Sequence, residues 1–272
     1  MNAAIRVPVL MYHGLGDAQD AWSARFTIAP QRFAEQMAAL AGDGFRAVSI
    51  DAMLDALDGR AALPAGAFVL TFDDGFRSVL EHALPVLERL GWPHTVFLVS
   101  DRIGGDNAWD GTGQPGVRPL PLLGAAEIRA MQRRGTSFHS HACTHVRLPG
   151  LGDEQLAREL RGSRAALADL LGEEVRYLAY PFGAEDQRVR EAARAAGYRA
   201  AFSTRSGFNG PGIDRFCIRR LEVYGTDSAA MLLRKIRLGS NDGSVGAVAR
   251  YLAGRVAARF QAGNRRPNHP GR

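Results

Sequence analysis

The stretch "AFVLTFDDGFRSVLEHALPVLERLGWPHTVFLV", residues 67–99, holds the reading on which the fold turns. "AFVLTF" is a short apolar run of strand length, "SVLEHALPVLERLG" a longer amphipathic run closed by glycine, and "HTVFLV" a second short apolar run. A strand, a helix and a strand in that order form a crossover unit, which joins parallel strands. Asp73 and Asp74 then stand where the first strand ends. Adjacent carboxylates repel, so the pair needs a reason: either the Asp-Gly step of "DDG" supplies a turn, or the two acids do chemistry.

The same rhythm extends in both directions. Upstream, "RVPVLMYH" reads as a buried strand, "PQRFAEQMAALAGDGF" as a helix with Phe33, Met37 and Leu40 on one face, "RAVSI" as a strand, and Ala52 to Leu57 as a helix. Downstream come helix "GAAEIRAMQRRG", strand "TSFHS", helix "GDEQLARELRGSRAALADLLG", strand "RYLAY", helix "EDQRVREAARAAG", and strands "YRAAFS" and "RFCIRRLEV". About seven such units predict an α/β fold: a distorted (β/α)7-type barrel of parallel strands with outer helices. Barrel chemistry sits at the C-terminal ends of strands, and there the unusual residues fall: His13, Asp73 with Asp74, His141, and "PFG" after Tyr180. The loop from Gly104 to Pro119 holds five glycines and two prolines and reads as a rim loop.

Composition narrows the partners. The chain has 272 residues, 46% hydrophobic and 23% charged, enough for a sizeable core. Its net charge is +6, yet Met231 to Arg272 carries nine basic residues and one acid, a local +8, so the basicity belongs to the tail. No basic patch interleaved with aromatics occurs in the body of the chain, and no nucleic-acid partner is expected. Cys143 and Cys217 are too few for a disulfide framework and lack C-x-x-C spacing. The apolar run near the N-terminus is broken by Pro8 and ended by His13, too short for a secretory core, and no window approaches the ~18 apolar residues of a membrane span. The expectation is a cytoplasmic protein with two parts, a catalytic domain over 1–230 and a basic helical extension over 231–272. In the extension Val245, Val248, Leu252, Val256 and Phe260 fall at near-helical spacing, with Arg250, Arg255 and Arg259 around them. The stripe suits either a helix packed on its own domain or a peripheral contact with an anionic inner membrane leaflet.

A second segment decides between the turn and the chemistry. "HSHACTH" holds three of the seven histidines, and the spacing of four between His141 and His145 places both imidazoles on one side of a helical turn. Two imidazoles and one carboxylate make the three-ligand, open arrangement of a hydrolytic metal site. Cys143 would point away from that side and pack as a thiol. Neither "GLGD" nor "GFNGPG" follows a phosphate-loop or dinucleotide pattern, and no serine has a base at triad spacing.

"TFDDG" and "SHACTH" together resemble the first two motifs of the polysaccharide deacetylases, carbohydrate esterase family 4 with its NodB homology domain. "VPVLMYHGLGD", "FTIAPQRFAEQMAAL" and "AYPFG" resemble the branch containing poly-N-acetylglucosamine deacetylases, and the likeness runs from about Val7 to Val223. The resemblance implies a metal-dependent hydrolase that removes an N-acetyl group from a 2-acetamido sugar in a polysaccharide, oligosaccharide or lipid-linked sugar. It implies Asp74, His141 and His145 as ligands of one divalent ion, zinc foremost, with cobalt or nickel as alternatives. It implies Asp73 as general base, kept ionised beside its neighbour by the cation, and the N–H of Phe182 as oxyanion donor. Two departures stand out. The arginine of the third motif is replaced by Ala179, and Arg220 in "IRRLEV" is the candidate substitute for orienting Asp73. The late histidine that supplies the general acid is also absent, since only His269 follows His145. His13 and His139 are the candidates for that role, and His82 and His94 read as structural. Two other readings stay open: deformylation or deacylation of a different sugar-like amide, and a noncatalytic glycan-binding relative.

Overall fold

The computed structural model describes residues 5–18, 23–109 and 119–250. Leu252, Arg255, Val256, Arg259, Phe260 and His269 lie outside the described residues, as does 110–118 of the glycine-rich loop.

The chain begins with β1 (Val9–Tyr12) and a small pair, β2 (Gly14–Leu15) with β3 (Thr27–Ile28), flanking α1 (Ser23–Phe26). There follow α2 (Pro30–Gly42), β4 (Arg46–Ala47), α3 (Ile50–Leu57), β5 (Ala67–Phe72), α4 (Leu84–Leu90), β6 (Thr95–Leu98), α5 (Ala125–Arg133) and β7 (Ser137–Ser140). Then come α6 (Asp153–Ala157), α7 (Ser163–Leu171), β8 (Tyr177–Ala179), α8 (Gln187–Ala195), β9 (Ala200–Phe202), β10 (Leu221–Glu222) and α9 (Ala229–Leu238). Among the described residues all ladders are parallel, in the order β10-β1-β5-β6-β7-β8-β9, with β4 also on β5. The sheet curls: the segment before β10 bridges to β9 through Ile218 and Phe202, and β10 pairs with β1 through Leu10 and Leu221. This is the distorted barrel of parallel strands and outer helices that the sequence rhythm predicts, closed at its seam by little more than one bridge.

Among the described residues two helices carry π turns. Pro85 has no N–H to give an α-helical ladder, and the turn before it, Val79–Ala83, is π, with Leu84 N–H bonded to Val79 O. The second, Arg158–Gly162, joins α6 to α7. Helix α3 begins at Ser49, whose hydroxyl accepts from Ala52 N–H, and α8 at Asp186, which accepts from Val189 N–H.

Strand alternation sorts the side chains into two cores. Leu10, Tyr12, Phe68, Leu70, Phe72 and Phe138 face the helices and pack with residues such as Phe33, Leu87 and Leu167. Val9, Val69, Phe97, Tyr177 and Phe202 face inward and pack with Ile50, Met53, Leu54 and Leu57 of α3. The inward row of β5 is therefore Val69, Thr71 and, one step past the strand, Asp73. That of β7 is Ser137, His139 and His141. The interior is apolar low in the strands and polar at their exits.

Helix α9 packs against α2, and its Leu232 and Ile236 join the outer core, so the boundary expected at residue 230 falls inside a helix of that core. The next helical stretch, 245–250, leaves Val245 74% exposed. Among the described residues no helix is long and apolar enough to cross a membrane. Both cysteines are free, Cys143 buried and Cys217 half-buried.

Candidate active site

Asp73 keeps the inward direction of β5 and lies 2% exposed. Arg220, fully buried on the neighbouring wall, grips it with two bonds, Nη1 to Oδ1 at 2.6 Å and Nη2 to Oδ2 at 2.8 Å. Arg220 Nε donates in turn to Ser203 O at 3.0 Å, which fixes the plane of the fork. Burial pushes the Asp73 carboxyl up, but Arg220, His141 and His13 outweigh it and hold the pKa below the usual carboxylate range.

The next residue turns the chain. Asp74 has φ 72° and Gly75 φ 78°, two successive left-handed residues, and a side chain at Gly75 would meet Leu98 Cδ2 at 2.8 Å. An extended strand would send adjacent side chains to opposite faces. The left-handed bend instead brings Asp74 into the same cleft as Asp73. Its Oδ1 lies 3.3 Å from His141 Nε2 and 3.3 Å from His145 Nε2. Burial raises the Asp74 carboxyl, and His145, His141 and His13 reverse this and hold it well below its ordinary value.

The histidines reach this place by a route that differs from the expected helical turn. His141 follows β7 directly, and Ala142 and His145 have φ 64° and 63°, which no right-handed helix contains. A bent loop does what the spacing of four suggested. The physical reason is that residues 142–144 bond to side chains and not to the carbonyls four positions back: Ala142 N–H reaches Ser140 Oγ, and Cys143 and Thr144 N–H both reach Glu159 Oε2. Cys143 packs as a thiol with Sγ against Arg158 O at 3.5 Å, and burial pushes its pKa to about 11.

The donor set suits a divalent ion. His141 Nδ1 lies 2.8 Å from Ala179 O, an oxygen that can only accept, so Nδ1 carries the proton and Nε2 faces Asp74 with its lone pair. The ligand atoms of Asp74, His141 and His145 lie within 4.8 Å of one another. Four donors at about 2.0–2.1 Å around a tetrahedral ion are spaced by about 3.3 Å, the spacing that both histidines keep from Asp74. Among the described residues the buried side-chain polar atoms without a hydrogen-bond partner are His13 Nδ1, Asp74 Oδ1 and His145 Nδ1, and all three belong to this cleft.

The cleft has a volume of about 310 Å³ and is lined by His13, Asp73, Asp74, His141, His145 and Phe182, among others. His13 stands at the exit of β1 with its ring 5.3 Å from that of Phe26. Phe182 follows β8 with φ 59°, and the bonds of its turn run from Gly183 N–H to Tyr180 and from Ala184 N–H to Pro181, leaving its own N–H out of the ladder. Its ring lies 4.6 Å from His145 and under the Arg147 guanidinium at 4.7 Å. Asp74, Ala142, His145 and Phe182 are the positive-φ residues other than glycine among the described residues, so backbone strain is concentrated at this one place.

His139 does not join them. It shares the inward face of β7 but sits one layer lower, 4.6 Å from the Tyr177 ring, with Nε2 near Ser137 Oγ. Burial, aided by Arg176, pushes its pKa down to about 3. His94, bonded to Trp92 O and Thr136 Oγ1, is a buried strut. Sequence reasoning missed Trp109, whose ring lies 4.3 Å from His145, because a glycine-rich loop has no periodicity to read. It also missed Glu159, which looked like one more helical acid, and Glu222 on the cleft wall.

A family profile described as polysaccharide deacetylase matches residues 60–201, just over half of the chain. The Bacillus subtilis protein YxkH, named as a polysaccharide deacetylase, is 22% identical over 80% of this chain and 71% of its own. A Staphylococcus aureus poly-β-1,6-N-acetyl-D-glucosamine N-deacetylase is 22% identical over 60% of this chain and 57% of its own. The solved structure of IcaB from Ammonifex degensii superposes with a TM-score of 0.69 at 29% identity, covering 80% of this chain and 91% of that one.

Proposed function

The chain belongs to the polysaccharide deacetylase family, and from that premise we propose that it is a metal-dependent hydrolase removing the N-acetyl group from a 2-acetamido sugar of a polysaccharide, oligosaccharide or glycolipid. The observation that carries the reading is the convergence of Asp74, His141 and His145 on one point, beside an Asp73 carboxylate gripped by Arg220. Asp74, His141 and His145 would hold the ion, zinc foremost, with cobalt or nickel as alternatives. An ion so held polarises the acyl carbonyl and makes a water more acidic.

The chain's own residues do the rest. Asp73 takes the proton of the attacking water, and Arg220 keeps that carboxylate ionised and aimed without itself touching substrate. As the carbonyl oxygen gains charge, Phe182 N–H donates to it, and a main-chain donor serves whatever side chain it carries. His13, which lines the cleft at the exit of β1, gives a proton to the departing sugar amine. The glycan-binding alternative rests on two absences, the third-motif arginine and the late histidine. The fork from Arg220 to Asp73 supports the catalytic reading over it. The substrate follows from the Staphylococcus aureus relative's name and is a proposal for this chain.

The test is acetate release from N-acetylated oligosaccharides and glycolipids by metal-stripped protein restored with zinc, cobalt or nickel. Release that depends on the metal is expected. Stoichiometric metal binding without release from any of them would shift the acyl group or the role. We propose further that the basic segment 244–272 contacts an anionic membrane leaflet, which fits a lipid-linked substrate and a cytoplasmic location. Removing it is expected to abolish binding to anionic vesicles, and unchanged binding would refute the contact.

A further inference from the structure

We propose that Glu159 is a positioning residue for the metal site: its carboxylate holds residues 142–144 in the bend that carries His145 to Asp74. The inference rests on the metal reading above but concerns a residue outside the ligand set. Glu159 is 5% exposed and lies in the π turn between α6 and α7. One oxygen accepts from Cys143 N–H at 2.8 Å and Thr144 N–H at 3.0 Å, and the other accepts from the Thr144 hydroxyl at 2.6 Å. Ser163, four residues further along, meets Ser140 Oγ at 2.8 Å, and Ser140 Oγ takes the N–H of Ala142 at 3.1 Å.

One helix face thus satisfies, directly or through Ser140, three consecutive N–H groups of a loop with left-handed residues at Ala142 and His145. A loop with those dihedrals cannot satisfy its N–H groups helically, so without acceptors it would relax toward an ordinary helical turn and rotate His145 away from Asp74. The buried carboxylate has a matching need: it forms no ion pair among the described residues, and the three loop donors are what satisfy its oxygens. Each half of the contact requires the other. The helix also stands very close to the loop, since a side chain at Gly162 would meet Cys143 Sγ at 3.2 Å. The π turn places the carboxylate under the loop, a use consistent with the frequency of such turns at functional sites.

The experiment measures zinc affinity of metal-stripped protein by competition with a chromophoric chelator, with apo-protein thermal unfolding as the folding control. Glu159→Ala is expected to weaken zinc binding by about 10–100-fold, the range seen when outer-shell partners are removed. Glu159→Gln, whose amide oxygen can accept the two N–H groups while its NH₂ faces the Thr144 hydroxyl, is expected to recover most of the loss. At saturating zinc the turnover of Glu159→Ala is expected to return to within a few-fold of wild type. Should that variant fail to fold, Thr144→Val carries the test, with weakening by several-fold. Wild-type affinity in a folded Glu159→Ala, or in Thr144→Val in its place, would overturn the inference. A wild-type protein that binds no zinc would instead overturn the metal reading itself.

Discussion

His139 and His141 project from the same face of β7, two residues apart, yet they live under opposite electrostatics. The lower one is packed on Tyr177 in an apolar layer, where burial holds it neutral down to about pH 3. The upper one is buried just as deeply, and burial alone would lower its pKa too, but Asp73, Asp74 and the Ala179 carbonyl raise it. One step along a strand separates the barrel's stabilising floor from its chemical mouth. Depth does not distinguish the two layers; the partners do.

That contrast yields tests in order of size. At the mouth, Asp73→Asn is expected to lower kcat by about 10²–10⁴ with metal content unchanged, the range for a lost general base. Near-normal turnover would remove the chemical distinction between the layers. Arg220→Ala leaves Asp73 buried without its fork and is expected to cost about 3–5 kcal/mol in stability, measured by denaturant unfolding. It should also move the acid limb of kcat/KM upward, because the guanidinium that helps hold the Asp73 carboxyl low is gone. Unchanged turnover with intact metal binding would end the case for Arg220.

The floor predicts stability and not rate. A buried histidine whose folded pKa lies below its unfolded one contributes stability that is full above pH ~6.5 and is lost as pH falls toward the folded value near 3. At about 1.4 kcal/mol per pH unit, His139 accounts for about 2 kcal/mol of loss between pH 6.5 and 5. His139→Gln is expected to flatten the stability curve by that amount and to leave kcat within a few-fold. An identical curve would mean that the imidazole is not held neutral. The smallest effect belongs to Phe182→Ala: kcat should change by less than about tenfold, since the proposed donor is the backbone N–H, while KM rises as the exposed ring is lost. A collapse of kcat would put the ring in the chemistry.

Much of this is legible in the sequence, and the parts that are not share a cause. The alternation of short apolar runs and amphipathic helices is local, so the parallel sheet and its outer helices could be read. The positions of Asp73, Asp74 and His141 at strand ends followed from the same reading. The helical turn expected for His141 to His145 failed because spacing encodes distance along a chain but not the sign of φ at Ala142 and His145. Trp109 was unreadable because its loop has no period. Glu159 was unreadable because a carboxylate facing solvent and one facing a loop look alike in a helix of the same phase.

The sequence by itself determined the order of elements, the inward and outward faces of each strand, and a set of donors capable of holding a cation. Those properties depend on residue type and short-range period. Only the tertiary structure decided that Arg220 meets Asp73 across 147 residues, that His139 stops one layer short of the cleft, and that the left-handed residues Asp74 and His145 aim their side chains, with His141, at one point. These depend on how strands pair and on where a helix places its acceptors, and no local pattern specifies either.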